Sequence, residues 1–259
     1  MTAAAKKAYG QHFLADPNIL RVAGRLAALG ADDIVLEVGP GRGVLTVFLA
    51  ERVAHLHAVE IDRALAPQLD AALADHENVD LVWGDALRLD LTRLVPAPNK
   101  LVANLPYNIA TPLVVESLSG LPSIESWCVM VQREVADRFF AEPATKAYGA
   151  VSVLLQLAVE RTGFHAVSRH VFRPEPGVDS ALVAFRRIPL DGDFADIKAV
   201  VEAAFSHRRK TLANALQLAG FGDRERAVAA LAAIGRESSA RAETLSPPEF
   251  AVLAEALRP

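Results

Sequence analysis

Short apolar runs alternate with longer stretches in which apolar residues recur every three or four positions. The runs read DIVLEV, HLHAVEID, NVDLVWGDAL, KLVANLPY and SWCVMVQ, and the first four break into a glycine, an acid or an amide. The stretches between them have helical spacing, as from Ile19 to Ala27 after the helix start at Asp16 and Pro17. This alternation predicts an α/β fold, with βαβ units, a parallel sheet and helices on both faces.

The pattern changes beyond Asp191, where strand-like runs stop. The segments DFADIKAVVEAAF, KTLANALQLAG and DRERAVAALAAIG are typical of short amphipathic helices, and Ser246 with Glu249 forms a capping box before a last helix. We therefore predict two domains. Residues 1–188 form the sheet domain together with an N-terminal arm, and residues 189–259 form a small all-helical domain.

Composition supports a folded protein and narrows its partners. Apolar residues make up 52% of the 259 residues, enough for a large core, and the net charge of −4 excludes a protein that is basic all over. The single cysteine excludes an internal disulfide framework. The segment MTAAAKKAYG lacks the apolar centre of a secretory signal, and no apolar run is long enough to span a bilayer. We expect a soluble, cytoplasmic protein with no membrane partner.

Four polar or glycine positions follow the first four strand runs. In open parallel sheets, ligands bind beyond the carboxyl ends of the strands. We therefore expect Gly39, Glu60, Asp85 and Asn104 to lie along one rim of the sheet.

The segment EVGPGRG supplies glycines that let the backbone approach a ligand. Its G-x-G-x-G spacing differs from the dinucleotide fingerprint, and an ordinary tight turn explains it equally well. Glu60 follows Gly39 by about 20 residues, where an acid can accept hydrogen bonds from ribose hydroxyls. Asp62 is better placed than Glu60 to cap the next helix, which favours the functional interpretation of Glu60.

Asp85, in WGDAL, has two interpretations that the sequence does not separate. Its carboxylate can accept a hydrogen bond from the exocyclic amine of an adenine. It can equally form an Asx turn after Gly84.

The segment LVANLPYNIATP ends a strand on an amide, a proline and an aromatic ring. Asn104 offers a side-chain carbonyl, Pro106 can hold a backbone carbonyl rigidly, and Tyr107 offers a flat face for a base. Together they can hold a planar amine by two acceptors and a π-surface. A proline turn that begins at Asn104 is the structural alternative.

Eight segments in this order resemble one family: GQHFL, EVGPGRG, VEID, GDA, NLPYNIATP, KAYG, FRPEPGVDSALV and HRRKTLANAL. They are similar to the ribosomal RNA adenine dimethyltransferases, whose founding bacterial member confers kasugamycin sensitivity. The resemblance covers nearly the whole chain. It implies a Rossmann-like, S-adenosylmethionine-dependent catalytic domain in residues 1–188. The implied reaction dimethylates the exocyclic amine of two adjacent adenosines near the 3′ end of small-subunit (16S) rRNA, with a role in subunit maturation.

The resemblance also implies roles for individual residues. Asn104, Pro106 and Tyr107 would hold the target base, with Phe172 on its other face. The implied cofactor-binding residues are Gln11, His12, Leu14, Gly39, Gly41, Glu60, Asp85 and Asn104. The chain departs from the family pattern at three positions: His12 stands where asparagine is usual, Arg42 where an apolar residue is usual, and Glu175 within a proline run.

Basic residues supply candidate RNA contacts. The segment HRRK contains Arg208, Arg209 and Lys210, which can bind rRNA phosphates, although cations are also common at solvated helix ends. Lys146 and Tyr148, in TKAYG, are weaker candidates for contact with RNA.

Other functions are less consistent with these residues. A nicotinamide dehydrogenase does not explain NLPY. A macrolide-resistance type of large-subunit rRNA methyltransferase and a non-catalytic ribosome-assembly factor both remain alternatives. The remaining histidines form no metal-ligand spacing, and His55 with His57 reads as structural, so we expect no metal. A monomer is the default expectation.

Overall fold

The computed structural model describes residues 12–14, 16–207 and 209–258. Two compact units divide the chain. The first contains the described residues up to Ala136 together with Arg161–Arg187, and the second contains Asp137–Glu160 with the described residues from Ile188 onward. The predicted boundary falls between residues 188 and 189. In the structure the chain passes from the first unit into the second between Arg187 and Ile188. The structure differs in also assigning Asp137–Glu160 to the second unit.

The strands are β1 (Phe13–Leu14), β2 (Ile34–Val38), β3 (His55–Glu60), β4 (Val79–Trp83), β5 (Lys100–Asn104), β6 (Ser126–Gln132), β7 (Val159–Val167), β8 (Phe172–Arg173) and β9 (Ser180–Arg187). Seven of these strands form one sheet in the order β4-β3-β2-β5-β6-β9-β7, and β1 pairs with β8 separately. The predicted parallel arrangement is confirmed from β4 to β6. The sheet also contains β9, for which the sequence made no prediction and which pairs antiparallel with β6 along its length.

The helices are α1 (Pro17–Leu26), α2 (Val44–Ala50), α3 (Ala66–Leu73), α4 (Ala110–Gly120), α5 (Arg133–Phe139), α6 (Ala150–Ala158), α7 (Phe194–Ser206), α8 (Leu212–Leu218), α9 (Arg224–Ala233) and α10 (Pro247–Ala256). The predicted start of α1 is confirmed, since the Asp16 side chain accepts from the Asn18 amide. None of the helices in the described residues is long and apolar enough to cross a membrane.

Helices cover both faces of the sheet in the first unit, as the alternation predicts. One face carries Val102 and Cys128, which belong to a single buried cluster with α1 and α2. On the opposite face Trp127 stacks on Phe185 at 5.4 Å and donates its indole N–H to Ser117 of α4. The near-continuous burial of β5 and β6 follows from this double cover.

The second unit is mostly helical, and its core contains a cluster of aromatic rings. The rings of Tyr148 and Phe205 lie 6.2 Å apart, and those of Phe205 and Phe250 lie 5.8 Å apart. The Tyr148 hydroxyl donates to the Leu245 carbonyl at 2.7 Å. Tyr148 is fully buried, so the prediction that it contacts RNA is wrong.

A capping box and an ion pair meet at the start of α10. Glu249 accepts from the Ser246 amide at 2.7 Å, which confirms the predicted capping box. The same carboxylate binds the Arg236 guanidinium through both oxygens, at 2.6 and 2.9 Å. One carboxylate therefore joins the α10 N-terminus to the end of α9.

Replacing Glu249 with glutamine is expected to lower the free energy of unfolding by about 1 kcal/mol at pH 7, because the charge that pairs with Arg236 is lost. The hydrogen bond with Arg236 is the main reason that the pKa of Glu249 falls from 4.5 to about 2 in the folded protein. Because the folded pKa lies below the unfolded one, the stabilisation is present above pH 4.5 and disappears as the pH falls towards 2. Urea titrations of both proteins at pH 7 and pH 3, followed by circular dichroism, measure the difference.

Glu255 provides the matched control on the same helix. It is 67% exposed and pairs with Arg258 at 2.9 Å. The change Glu255→Gln is expected to shift the free energy of unfolding by less than about 0.5 kcal/mol. A loss in Glu249→Gln that is as large at pH 3 as at pH 7 would contradict the proposed role of the charge.

Candidate active site

A cavity of about 290 Å³ opens where the parallel strands end. Gly39, Glu60, Asp85 and Asn104, which follow or end β2, β3, β4 and β5, all line it. The sequence places these residues far apart in the chain, and the parallel register of the sheet brings them to one rim.

The glycine turn after β2 forms one wall, and two of its residues have no room for a side chain. Gly39 has a φ of 78°, and a Cβ there would lie 3.1 Å from the Pro106 ring. Gly41 has a φ of 61°, and a Cβ there would lie 3.0 Å from the Phe13 ring. The turn therefore requires glycine for its conformation and for its close approach to the strand-end loop.

Glu60 is buried at the end of β3, and backbone amides hold its carboxylate. One oxygen, Oε1, accepts from the amides of Ile61 and Asp62 at 2.9 and 2.8 Å. The other, Oε2, accepts from the Gly41 amide at 3.1 Å, so it keeps one lone pair for a further donor. Burial raises the pKa of Glu60 although these amides oppose the shift.

Asp85 is half-buried in the turn after β4, and both of its interpretations have structural support. Its Oδ1 accepts from the Leu87 amide at 3.0 Å, which is the Asx turn. The residue also lines the cavity, and its Oδ2 lies 3.4 Å from the exposed Arg88 guanidinium. The turn fixes the carboxylate at the rim without using all of its acceptor sites.

The Asn104 side chain is oriented by a contact with the backbone of His12. Its NH₂ group donates to the His12 backbone carbonyl at 3.2 Å. Because a carbonyl can only accept, this contact sets the orientation of the amide and leaves the side-chain oxygen as an acceptor. The strand end is thereby linked to the segment that precedes β1.

Two hydrogen bonds fix the positions of Pro106 and Tyr107 after β5. The Pro106 carbonyl accepts from the Ile109 amide at 3.1 Å, and a carbonyl oxygen has a second lone pair for another donor. The Tyr107 hydroxyl and the Ser180 hydroxyl on β9 are 2.7 Å apart. The turn therefore begins at Pro106 and not at Asn104, which ends β5.

The His12 ring lies against the Tyr107 ring, with centroids 5.5 Å apart and planes 28° apart. Its Nδ1 is 2.9 Å from the Pro174 carbonyl. Histidine at this position thus contributes a stacking surface and a bond to the segment after β8. Of the other departures from the family pattern, Arg42 lies over the Phe13 ring at 4.3 Å, and Glu175 contacts His170 at 2.9 Å.

Glu37 borders the same cavity and was missed by the sequence analysis. It is 1% exposed, and its Oε2 has no hydrogen-bond partner among the described residues. Burial, opposed by the nearby Thr46 hydroxyl, raises the pKa of Glu37 to about 8. The available signal was an acid inside the otherwise apolar run IVLEV.

Phe172 does not lie where the predicted base contact requires it. It is fully buried in the cluster that contains α1 and α2, and it pairs with Leu14 between β8 and β1. A ring packed on all sides has no free face for a base, so the structure corrects this prediction. Leu14 is also buried but does line the cavity.

The remaining predicted residues divide into two groups. Gln11 and Arg208 lie outside the described residues. Lys146, Arg209 and Lys210 are exposed in the second unit, and the Lys210 amide donates to the His207 carbonyl at 2.8 Å in a turn after α7. Exposure of these cations is compatible with RNA contact and with a solvated helix end.

Comparison with known proteins gives one consistent result. The family model described as ribosomal RNA adenine dimethylase matches residues 2–254. The chain is 49% identical to ribosomal RNA small subunit methyltransferase A of Rubrobacter xylanophilus, covering 98% of this chain and 95% of that protein.

Two solved structures share the fold. A dimethyladenosine transferase from Plasmodium falciparum has a TM-score of 0.77 at 24% identity, covering 93% of this chain and 96% of that one. The 23S rRNA methyltransferase ErmE has a TM-score of 0.68 at 31% identity, covering 95% and 99%.

Proposed function

The chain belongs to the ribosomal RNA adenine dimethylase family, and from this membership we propose that it dimethylates two adjacent adenosines near the 3′ end of 16S rRNA. It is an rRNA adenine-N6 dimethyltransferase that uses S-adenosylmethionine. The observation that carries the assignment is the meeting of two acceptors, the Asn104 side-chain oxygen and the Pro106 carbonyl, with the Tyr107 ring at a cavity rimmed by acids.

The residues around the cavity fit S-adenosylmethionine, which supplies an activated methyl group on a sulfonium. Gly39 and Gly41 bring bare backbone to the cavity, as close approach to the methionine part requires. Glu60 has a free lone pair for a ribose hydroxyl, and Asp85 can accept from the adenine amine. The unpartnered Oε2 of Glu37 beside this cavity is a further polar atom that can hydrogen-bond to a bound cofactor. Gln11, His12 and Leu14 would complete the site from the N-terminal arm.

The target amine is a poor nucleophile, since its lone pair is delocalised into the purine ring. The Asn104 oxygen and the Pro106 carbonyl would accept its two hydrogens, which favours a tetrahedral nitrogen with a directed lone pair. Both acceptors are fixed before the base arrives, by the bonds to His12 and Ile109. Catalysis by these residues is therefore positioning combined with electrostatic stabilisation, without a covalent enzyme intermediate.

No strong general base is required, because the amine loses its proton after it has attacked. Tyr107 would hold the target base after it has left its stack. Removing a base from its stack costs a few kcal/mol, and less in a loop than in a duplex. The bond to Ser180 fixes the ring that receives the base. Burial raises the pKa of Tyr107, so its hydroxyl is neutral at physiological pH.

RNA contact outside the cavity is proposed for Lys146, Arg208, Arg209 and Lys210. Phosphate contacts by such cations would make binding to the subunit weaken as salt rises. The proposed enzyme acts as a monomer in the cytoplasm, where ribosomal subunits mature, and has no membrane partner.

The direct test uses small ribosomal subunits that lack the terminal dimethyl marks, with large subunits in parallel. Transfer from methyl-labelled S-adenosylmethionine is followed by mass spectrometry of the nucleosides. We expect dimethyladenosine in the small subunit alone. Label in the large subunit would instead indicate the macrolide-resistance activity, and tight subunit binding without label would indicate an assembly factor.

A further inference from the structure

Two histidines and an aspartate meet at the end of the sheet opposite the cavity. His55 and His57 lie on the same face of β3, and Asp80 on β4 is directly paired with His57. His55 begins β3 and Glu60 ends it, so the two sites lie about 16 Å apart along the strand. The three side chains therefore belong to a separate place in the first unit, away from the candidate active site.

The spacing of the three side chains is that of a metal site. The Asp80 Oδ2 atom lies 3.0 Å from the His55 Nε2 atom and 3.6 Å from the His57 Nδ1 atom. The three ligand atoms all lie within 4.8 Å of one another. Ligands at zinc's usual bond length of about 2.0–2.1 Å sit about 3.3 Å apart in a tetrahedron, so the group needs little movement to close on one ion. The ion would replace the proton that His55 Nε2 donates to Asp80, and His55 would keep its remaining proton on Nδ1.

The protonation of His57 provides the second, independent observation. Its Nε2 is 2.8 Å from the Pro96 carbonyl, which can only accept, so Nε2 carries the hydrogen. In the neutral ring Nδ1 then has the lone pair, and this atom is buried with no hydrogen-bond partner in the part of the chain that the structure describes. A lone pair thus faces a carboxylate oxygen, an arrangement that a cation would stabilise.

We propose that His55, His57 and Asp80 bind one divalent transition-metal ion, with Zn²⁺ as the ion whose preferred ligands match best. In metal sites the ring nitrogen of histidine that does not bind the metal usually donates to a carbonyl or carboxylate, which orients the ring. The bond from His57 Nε2 to the Pro96 carbonyl is of this kind. Asp80 is 56% exposed, so the ion has a path from solvent and water can complete its coordination. The ion would join β3 to the edge strand β4 and stabilise the sheet.

The local sequence does not bring these three side chains together, and the expectation of no metal rested on the spacing of the histidines alone. The H-x-H pair lies on one strand, and the third ligand comes from the next strand after an intervening helix. The pairing of His57 with Asp80 is visible only once the register of β3 and β4 is fixed.

The test uses the full chain without a polyhistidine tag, stripped of metal with a chelator. Zn²⁺ binding is measured by competition with a chromophoric indicator, and Co²⁺ is added separately for its visible absorption spectrum. Thermal unfolding with and without Zn²⁺ gives a readout that does not depend on catalysis. The variants are His55→Gln and Asp80→Asn, which are more exposed than His57 and leave its buried ring in place. His165→Gln, at an exposed position on β7, is the matched control.

We expect one equivalent of Zn²⁺ to bind and to raise the melting temperature of the natural chain and of the control. Affinity should fall by at least about tenfold in each ligand variant, and the thermal shift should shrink with it. No binding to the natural chain at micromolar Zn²⁺ would overturn the proposal. So would equal binding by the natural chain and both ligand variants.

Discussion

Replacing Asn104 with alanine is expected to lower methyl transfer to small-subunit rRNA by about 10²–10³-fold, the usual effect of removing one preorganised electrostatic contact. Alanine removes the side-chain oxygen that accepts from the target amine. It also removes the NH₂ group that donates to the His12 carbonyl. The measurement is the rate of label incorporation at saturating cofactor, together with the dissociation constant of the cofactor by calorimetry.

A second substitution separates the two contacts of Asn104. Asn104→Asp keeps an acceptor oxygen but cannot donate to His12, so partial activity above that of alanine would assign the larger role to the acceptor. Equal losses in both variants, accompanied by weak cofactor binding, would assign the larger role to the hydrogen bond between Asn104 and the backbone of His12. Asn18→Ala, at an exposed position on α1, should behave as the natural chain. Full activity of Asn104→Ala would contradict the proposed mechanism.

Replacing Gly39 with alanine is expected to weaken cofactor binding by more than about tenfold and to lower transfer by about 10²-fold. Two effects combine. A non-glycine residue at a φ of 78° costs about 1–2 kcal/mol. The new Cβ, 3.1 Å from the Pro106 ring, would also push the loop that carries the acceptor carbonyl, and small misplacements of that kind are costly to catalysis.

Gly120→Ala is the control for Gly39→Ala. Gly120 ends α4, and among the described residues no heavy atom outside its own stretch of helix lies within 4 Å of the position that its Cβ would take. Cofactor binding by calorimetry and transfer under single-turnover conditions should be unchanged in this variant. If Gly39→Ala binds the cofactor as tightly as Gly120→Ala does, the glycine turn is not the cofactor wall that we propose.

The local pattern predicted the sheet as far as β6 because buried parallel strands are continuous apolar runs separated by helices. SWCVMVQ coincides with β6. The pattern did not predict β9, although SALVAFRR is also apolar, because its antiparallel place beside β6 depends on a pairing across a long stretch of chain. The pattern also did not assign α6 to the helical unit, because that assignment depends on tertiary packing and the periodicity of one segment does not show which unit it packs with.

The candidate site was predictable where function requires an unusual residue at a strand end. Three features of this kind differ from the apolar runs beside them: the glycines after β2, the acid Glu60 at the end of β3 and the amide Asn104 at the end of β5. Glu37 did not stand out, since it lies one residue inside β2 and its isolation from partners is visible only in the fold. Phe172 was placed wrongly because its burial follows from the pairing of β8 with β1, which the sequence does not encode locally.

The position of β9 between β6 and β7 has a consequence for how the chain is made. β6 leaves the ribosome well before β9 has been synthesised, and at roughly 5–20 residues per second that interval lasts seconds. During it, an apolar strand has an unpaired edge that can add to other chains. That edge stays open until Arg187 has emerged and β9 can pair with β6.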